Sequence, residues 1–168
     1  DNKEPAPESS LKLLGDQSTE LHFEGWADFE SITFDAPVNW MIIIDDNAEW
    51  FKVTPLYGEA GESTISVEVF AYNGEAKREG GFAIVAGDQR IEFTVTQLSS
   101  TDPNSDYVYI EDENFEMYLI RMFDSNGDER IDKSEAAKVT KIACSDNEIR
   151  SLEGIKNFPA LEILDCSY

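Results

Sequence analysis

Ile91-Glu92-Phe93-Thr94-Val95-Thr96-Gln97 alternates apolar and polar residues without a break, and Thr64-Ile65-Ser66-Val67-Glu68-Val69 does the same. A period of two puts every second side chain on one face of an extended strand, so each run predicts a half-buried β-strand. Working outward, the pattern recurs at Leu21 and Phe23, Ile32 and Phe34, Trp40, Ile42 and Ile44, Phe51 and Val53, and Phe82 and Ile84. Turn-forming residues fall between the runs at Asp35 to Pro37, Asp45 to Asn47, Pro55 to Gly61, Asn73-Gly74, Gly80-Gly81 and Gly87-Asp88. About seven short strands with no helical period predict an all-β sandwich over residues 18–98. Residues 1–17, which open D-N-K-E-P-A-P-E-S-S, read as a charged, proline-bearing tether.

Within the sandwich, Asn39-Trp40, Trp50, Val53-Thr54-Pro55, Gly58, Asn73, Arg78 and the closing Thr94-Val95-Thr96-Gln97 resemble the BACON family, immunoglobulin-like modules of Bacteroidetes surface proteins. That resemblance implies an immunoglobulin-like sandwich, an exported protein from a glycan-foraging bacterium, and carbohydrate binding or a spacer role. Trp40 and Trp50 fall in step with inward residues and are expected in the core. A ring that stacks on a sugar must be exposed, which points to Trp26, Tyr57 and Tyr72, each in or beside a turn. His22 lies between inward Leu21 and Phe23 and is expected to face solvent.

Residues 99–106, S-S-T-D-P-N-S-D, are polar and divide the sandwich from a differently patterned half. Phe115, Tyr118, Leu119 and Met122 then stand at helical spacing behind Asp112, a helix-capping residue. Asp124, Asn126, Asp128, Asp132 and Glu135 occupy positions 1, 3, 5, 9 and 12 of a twelve-residue loop, with the Arg130 carbonyl at position 7. This is the oxygen spacing by which an EF-hand loop surrounds Ca²⁺. Glu129 stands at position 6, where glycine is preferred because the turn needs a positive φ, and the substitution costs about 1 kcal/mol. The other reading of the segment is an acidic turn between helices, with Asp132 capping the second. Residues 107–138 are accordingly expected to form a helical cap with an EF-hand-like loop.

From Val139 the series Ile142, Cys144, Asn147, Ile149, Leu152, Ile155, Phe158 restarts at Leu161, Leu164 and Cys166. The series resembles the 22-residue leucine-rich repeats of internalin-like surface proteins, which implies an incomplete solenoid over residues 139–168. In that family the asparagine, here Asn147, is structural, and Lys141, Ala143, Ser145 and Asp165 would begin a binding face. The fold expected for the second half is thus an α+β cap followed by a truncated leucine-rich repeat solenoid. Repeat spacing would set Cys144 and Cys166 side by side, within reach of a disulfide, yet two free buried thiols serve the same positions as small apolar residues.

The chain's 168 residues carry a formal charge of −22, about −13 of it in residues 1–98 and −9 in the remainder. Phosphate backbones are repelled from such a surface, which argues against nucleic acid and against unaided binding to anionic lipid. No apolar run of about 18 residues is present, so direct membrane insertion is not expected. One histidine, no phosphate-cradling glycine loop and no cysteine with a base partner argue against an enzyme. The sequence therefore reads as an exported surface protein, lipid-anchored upstream of Asp1. The sandwich would be a stalk and the calcium-stiffened repeats would hold a surface protein or glycan. The alternatives are glycan or mucin binding by the sandwich itself, or an accessory role in glycan breakdown.

Overall fold

The computed structural model describes residues 10–145 and 147–166 and divides the chain into two units, 1–102 and 103–168. Among the described residues unit 1 contains nine strands. These are β1 (Lys12–Leu13), β2 (Glu20–Phe23), β3 (Asp28–Ala36), β4 (Trp40–Ile44), β5 (Phe51–Thr54), β6 (Tyr57–Gly58), β7 (Gly61–Val69), β8 (Arg78–Ala86) and β9 (Gln89–Gln97). One sheet has the order β1-β3-β7-β5 and the other β2-β9-β8-β4-β6. All pairs are antiparallel except β2 with β9, which run parallel from Glu20 opposite Thr94 to Phe23 opposite Gln97.

The core between the sheets is the inward parity of each strand. Leu21, Ile32, Phe34, Ile65, Val67, Phe82, Ile84 and Val95 are at most 1% exposed. Phe82 stacks on Phe93 with centroids 4.6 Å apart, and Phe34 meets Trp40 edge-on at 4.9 Å. His22, on the other parity, is exposed.

The structure differs from the sequence reading at Gly80-Gly81, which lie inside β8 and form no turn. A Cβ on Gly81 would stand 2.8 Å from Asp45 Oδ2 and 2.9 Å from Phe93 O, and one on Gly80 would press on Ala48 at 3.1 Å. These glycines admit close neighbours to a strand. The turn that follows β8 is Gly87-Asp88, where Gly87 takes φ 64° as a tight two-residue hairpin requires.

Unit 2 contains α1 (Glu113–Phe123), α2 (Lys133–Ala136), β10 (Lys141–Ala143), a 3₁₀ turn at Ile155–Asn157 and β11 (Ile163–Asp165). Asp112 caps α1 by accepting Asn114 N and Phe115 N at 3.0 Å. Its other oxygen accepts Arg150 N at 2.8 Å and Ser151 N at 3.2 Å. These amides, Arg150 N foremost, hold the carboxyl below the usual carboxylate range. Phe115, Tyr118 and Leu119 pack inward with Ile131, Val139, Ile142 and Phe158, while Met122 is exposed.

The expected helical cap and leucine-rich repeat solenoid are corrected here. Among the described residues the chain is mostly β-sheet with two helices and forms no solenoid. The 22-residue spacing survives only as register, Ile142 opposite Leu164, in one parallel pair of three-residue strands. A solenoid is stable because stacked repeats bury a continuous core. Here Ile163 and Leu164 stay 52% and 44% exposed, and α2 is a single turn.

Candidate functional site

The constellation best placed to meet a ligand is built around Gln97, the last residue of β9. Its side chain is fully buried, so its amide needs partners. Nε2 faces the carbonyls of Glu24 at 2.9 Å, Trp26 at 3.1 Å and Phe70 at 3.0 Å. Oε1 accepts from Arg78 Nε at 3.0 Å and Nη2 at 2.7 Å. One amide therefore joins the segment after β2, the exit of β7 and the start of β8. Arg78 Nη2 also donates to Phe70 O at 3.0 Å.

The Arg78 guanidinium lies 4.5 Å from the Trp50 ring centroid and 4.1 Å from that of Tyr72. Desolvation lowers its pKa and the nearby Tyr72 opposes the shift; it remains a cation at neutral pH. Among the described residues no acceptor stands against its Nη1, which leaves those N–H groups for an incoming oxygen.

Trp50 and Tyr72 are the rings that lie against this cation. Trp26 and Tyr72 are half-buried, and their segments are joined by Tyr72 N donating to Gly25 O at 2.7 Å. The Tyr72 hydroxyl donates to Ala76 O at 2.8 Å. Phe29 and Phe70 are 66% and 54% exposed. Phe29 pairs with Glu68 and Phe70 follows directly after β7, so by parity both face outward from the β3-β7-β5 sheet.

Of the three expected sugar contacts, Tyr72 has its ring on Arg78 and Trp26 meets Gln97 through its carbonyl. Tyr57, 78% exposed, lies on β6 opposite Met41, and Met41 pairs with Val85. Val85 stands seven positions along β8 from Arg78, roughly 23 Å at strand rise, so Tyr57 is not part of the cluster. Trp40 is in the core, with Nε1 bonded to Ser63 Oγ at 3.0 Å. Trp50 is half-buried, packed on the core and against Arg78. Phe29 and Phe70 are absent from the sequence-level candidates, although parity marks them. Phe29 is out of step with Ile32 and Phe34, and Phe70 with Val67 and Val69, so both point outward.

In unit 2 the expected calcium ligands Asp124, Asn126, Asp128, Arg130, Asp132 and Glu135 lie between α1 and α2 and within α2. Glu129 takes φ 61°, the left-handed conformation the loop demands at that position. Asp124 accepts Gly127 N at 2.7 Å and Glu129 N at 2.9 Å. Asn126 Oδ1 accepts Asp128 N at 2.9 Å, and Asp128 Oδ1 accepts Arg130 N at 3.0 Å. Asp132 and Glu135 form a capping box, and Glu135, 3% exposed, also accepts from Ser125 N at 2.6 Å and Ser125 Oγ at 2.9 Å. The Ser134 hydroxyl, first among several hydrogen bonds, holds Asp132 below the usual range. As a test of fit, the backbone suits a cation loop but the side chains close on one another. Asn126 Nδ2 points at Asp128 Oδ2, 3.1 Å away, and at Asp132 Oδ2, 3.5 Å away. Among the described residues no three acidic, thiol or imidazole groups gather as a metal cage.

Residues 38–98 match the family model of BACON, described as "Putative binding domain, N-terminal". No curated protein sequence matches the chain. Among solved structures, a Bacteroides ovatus GH5 xyloglucanase in complex with a XXXG heptasaccharide is similar at 18% identity and TM-score 0.49, over 80% of this chain and 27% of that one. A protein from Bacteroides thetaiotaomicron aligns at 15% identity and TM-score 0.37, over 61% of this chain and 96% of that one. Domains 4 and 5 of the S-layer protein SbsC align at 15% identity and TM-score 0.38, over 54% of this chain and 46% of that one. At these scores the structural likenesses do not carry over to what this chain binds. Among the described residues no helix is long and apolar enough to cross a membrane.

Proposed function

We propose that unit 1 is a carbohydrate-binding module of an exported surface protein, and that its site is the aromatic end of the sandwich around Arg78. The observation that carries this reading is the Arg78 guanidinium stacked on Trp50 and Tyr72 with no acceptor at its Nη1 among the described residues, together with the exposure of Phe29 and Phe70 on the outer face of the β3-β7-β5 sheet. A sugar ring has an apolar C–H face and a rim of hydroxyls. Flat rings cover the first, and Nη1 donates to the second. The description of the matched family as a binding domain supports the reading. The net charge of −22 selects against polyanionic chains, so the ligand class is a neutral glycan. No catalytic step is assigned to the chain.

The test is calorimetric titration with xyloglucan oligosaccharides and mixed-linkage β-glucan, with polygalacturonate as the anionic control. Binding to a neutral glycan is expected, weakened by roughly tenfold or more in the Phe29→Ala, Phe70→Ala double variant, at about 0.5–1.5 kcal/mol per ring. Both positions are exposed, so the melting temperature should hold. Failure of every neutral glycan, or an unaffected double variant, removes the site.

A second reading concerns residues 124–135, and the positive φ of Glu129 is the observation in its favour. In this proposal the loop takes up Ca²⁺ by displacing the Asn126 amide from between Asp128 and Asp132. Bound ion would stabilise unit 2 by mass action, about 2.7 kcal/mol at a hundredfold excess over Kd. The unit-2 melting transition should therefore rise by several degrees from chelator to millimolar calcium, and Asp124→Asn should abolish the rise. A transition indifferent to calcium leaves the segment a hydrogen-bonded turn and does not touch the glycan reading.

A further inference from the structure

Cys144 follows β10 and Cys166 follows β11, the two strands of the parallel pair. Cys144 N donates to Asp165 O at 2.9 Å, which fixes the two backbones side by side at this point. The sulfurs stand 3.1 Å apart, closer than two unbonded sulfurs ordinarily rest, and both thiols are free. Their surroundings are unequal. Cys144 is 3% exposed within the unit-2 core, whereas Cys166 is half-buried at its edge.

We propose that Cys144 and Cys166 are a thiol pair that closes to an intramolecular disulfide on meeting an external disulfide oxidant. The accessible Cys166 reacts first. Its thiolate attacks one sulfur of R–S–S–R, the oxidant's S–S bond breaks, and one R–S⁻ leaves to take up a proton. Cys144 then loses its proton and attacks Cys166 Sγ, expelling the second R–S⁻, which is protonated in turn. Two protein thiols are oxidised and one external disulfide is reduced to two thiols.

The asymmetry has a physical basis. Burial, then the hydrogen bond to Cys166, pushes the Cys144 thiol up to about 12, so it is a poor first nucleophile. Once Cys166 carries a mixed disulfide, that hydrogen bond is gone and Cys144 faces the sulfur it must attack. Closure links residues 22 apart and restrains the unfolded chain, so unit 2 gains stability. The inference stands independently of the glycan reading, and an oxidising envelope is the setting where such a bond persists.

The experiment treats the whole chain with glutathione disulfide or with dithiothreitol, alkylates remaining thiols, and maps peptides without reduction. Expected after oxidation are a monomer about 2 Da lighter, a peptide linking Cys144 to Cys166, and no alkylated cysteine. The unit-2 melting transition should rise by about 5 °C or more on oxidation, and Cys166→Ser should show no rise. Two alkylatable cysteines after oxidation, or a product halted at a glutathione adduct on Cys166, overturns the proposal. The mapping is done on the unaltered chain, so it does not depend on a variant folding.

Discussion

Replacing Gln97 by leucine is expected to lower the stability of unit 1 by about 3 kcal/mol, although leucine nearly matches its volume and is more apolar. The usual gain from making a buried position apolar is absent here, because five polar contacts converge on this amide. Leucine would leave the carbonyls of Glu24 and Trp26 without their Nε2 donor and take from Arg78 an acceptor it contacts through two nitrogens. Phe70 O would keep its bond from Arg78 Nη2. Each hydrogen bond lost from a buried group costs about 1–3 kcal/mol, and several are lost together. The check is urea unfolding of the whole chain followed by tryptophan fluorescence, since Trp26, Trp40 and Trp50 all lie in unit 1. A midpoint that falls only slightly would show that water reaches these groups. Glycan affinity should fall with stability, because the same amide sets Arg78 between Trp50 and Tyr72.

How much of this was legible in the sequence depends on the range of the interaction. Strand parity is local, and it identified Leu21, Ile32, Phe34, Ile65, Val67 and Val95 as core. The aromatic end is not local. Gln97 meets Glu24 across 73 residues and Phe70 across 27, and no period announces such contacts. Gly80-Gly81 misled for a related reason. Glycine marks a turn when the chain needs positive φ, but here it marks where Asp45 and Phe93 come close to β8. The C-terminal half misled in a different way. The 22-residue period states which residues can lie opposite one another, and Ile142 does lie opposite Leu164. It does not state how many such layers stack, and one layer is not a solenoid. The acidic loop shows the same limit. Spacing places oxygens at the right positions, while the side-chain hydrogen bonds between Asn126, Asp128 and Asp132 decide where they point.

Gly25→Ala is expected to open the aromatic end altogether, at roughly 3 kcal/mol or more. The φ of Gly25 is not in the left-handed region, so alanine suits its backbone conformation and the penalty is purely steric. A methyl group at this point would run into the backbone of Ser100 and stand 2.7 Å from Ser99 C. No flexible side chain is there to yield. The same crossing carries two hydrogen bonds in series, Tyr72 N to Gly25 O at 2.7 Å and Ser100 N to Tyr72 O at 2.9 Å. Separating these segments therefore breaks both bonds and shifts Trp26 and Tyr72 relative to Arg78. Gly15→Ala supplies the control: its φ is 75° and nothing lies within 4 Å of the added methyl group, so only the conformational cost of about 1 kcal/mol should appear. Both variants are to be unfolded in urea and titrated with the same neutral glycan. Gly15→Ala should keep its affinity, while Gly25→Ala should lose binding even at denaturant-free conditions where unit 1 remains folded. Retained affinity in a folded Gly25→Ala protein would place the sugar elsewhere, and Tyr57 on the far end of the sheet would become the residue to substitute.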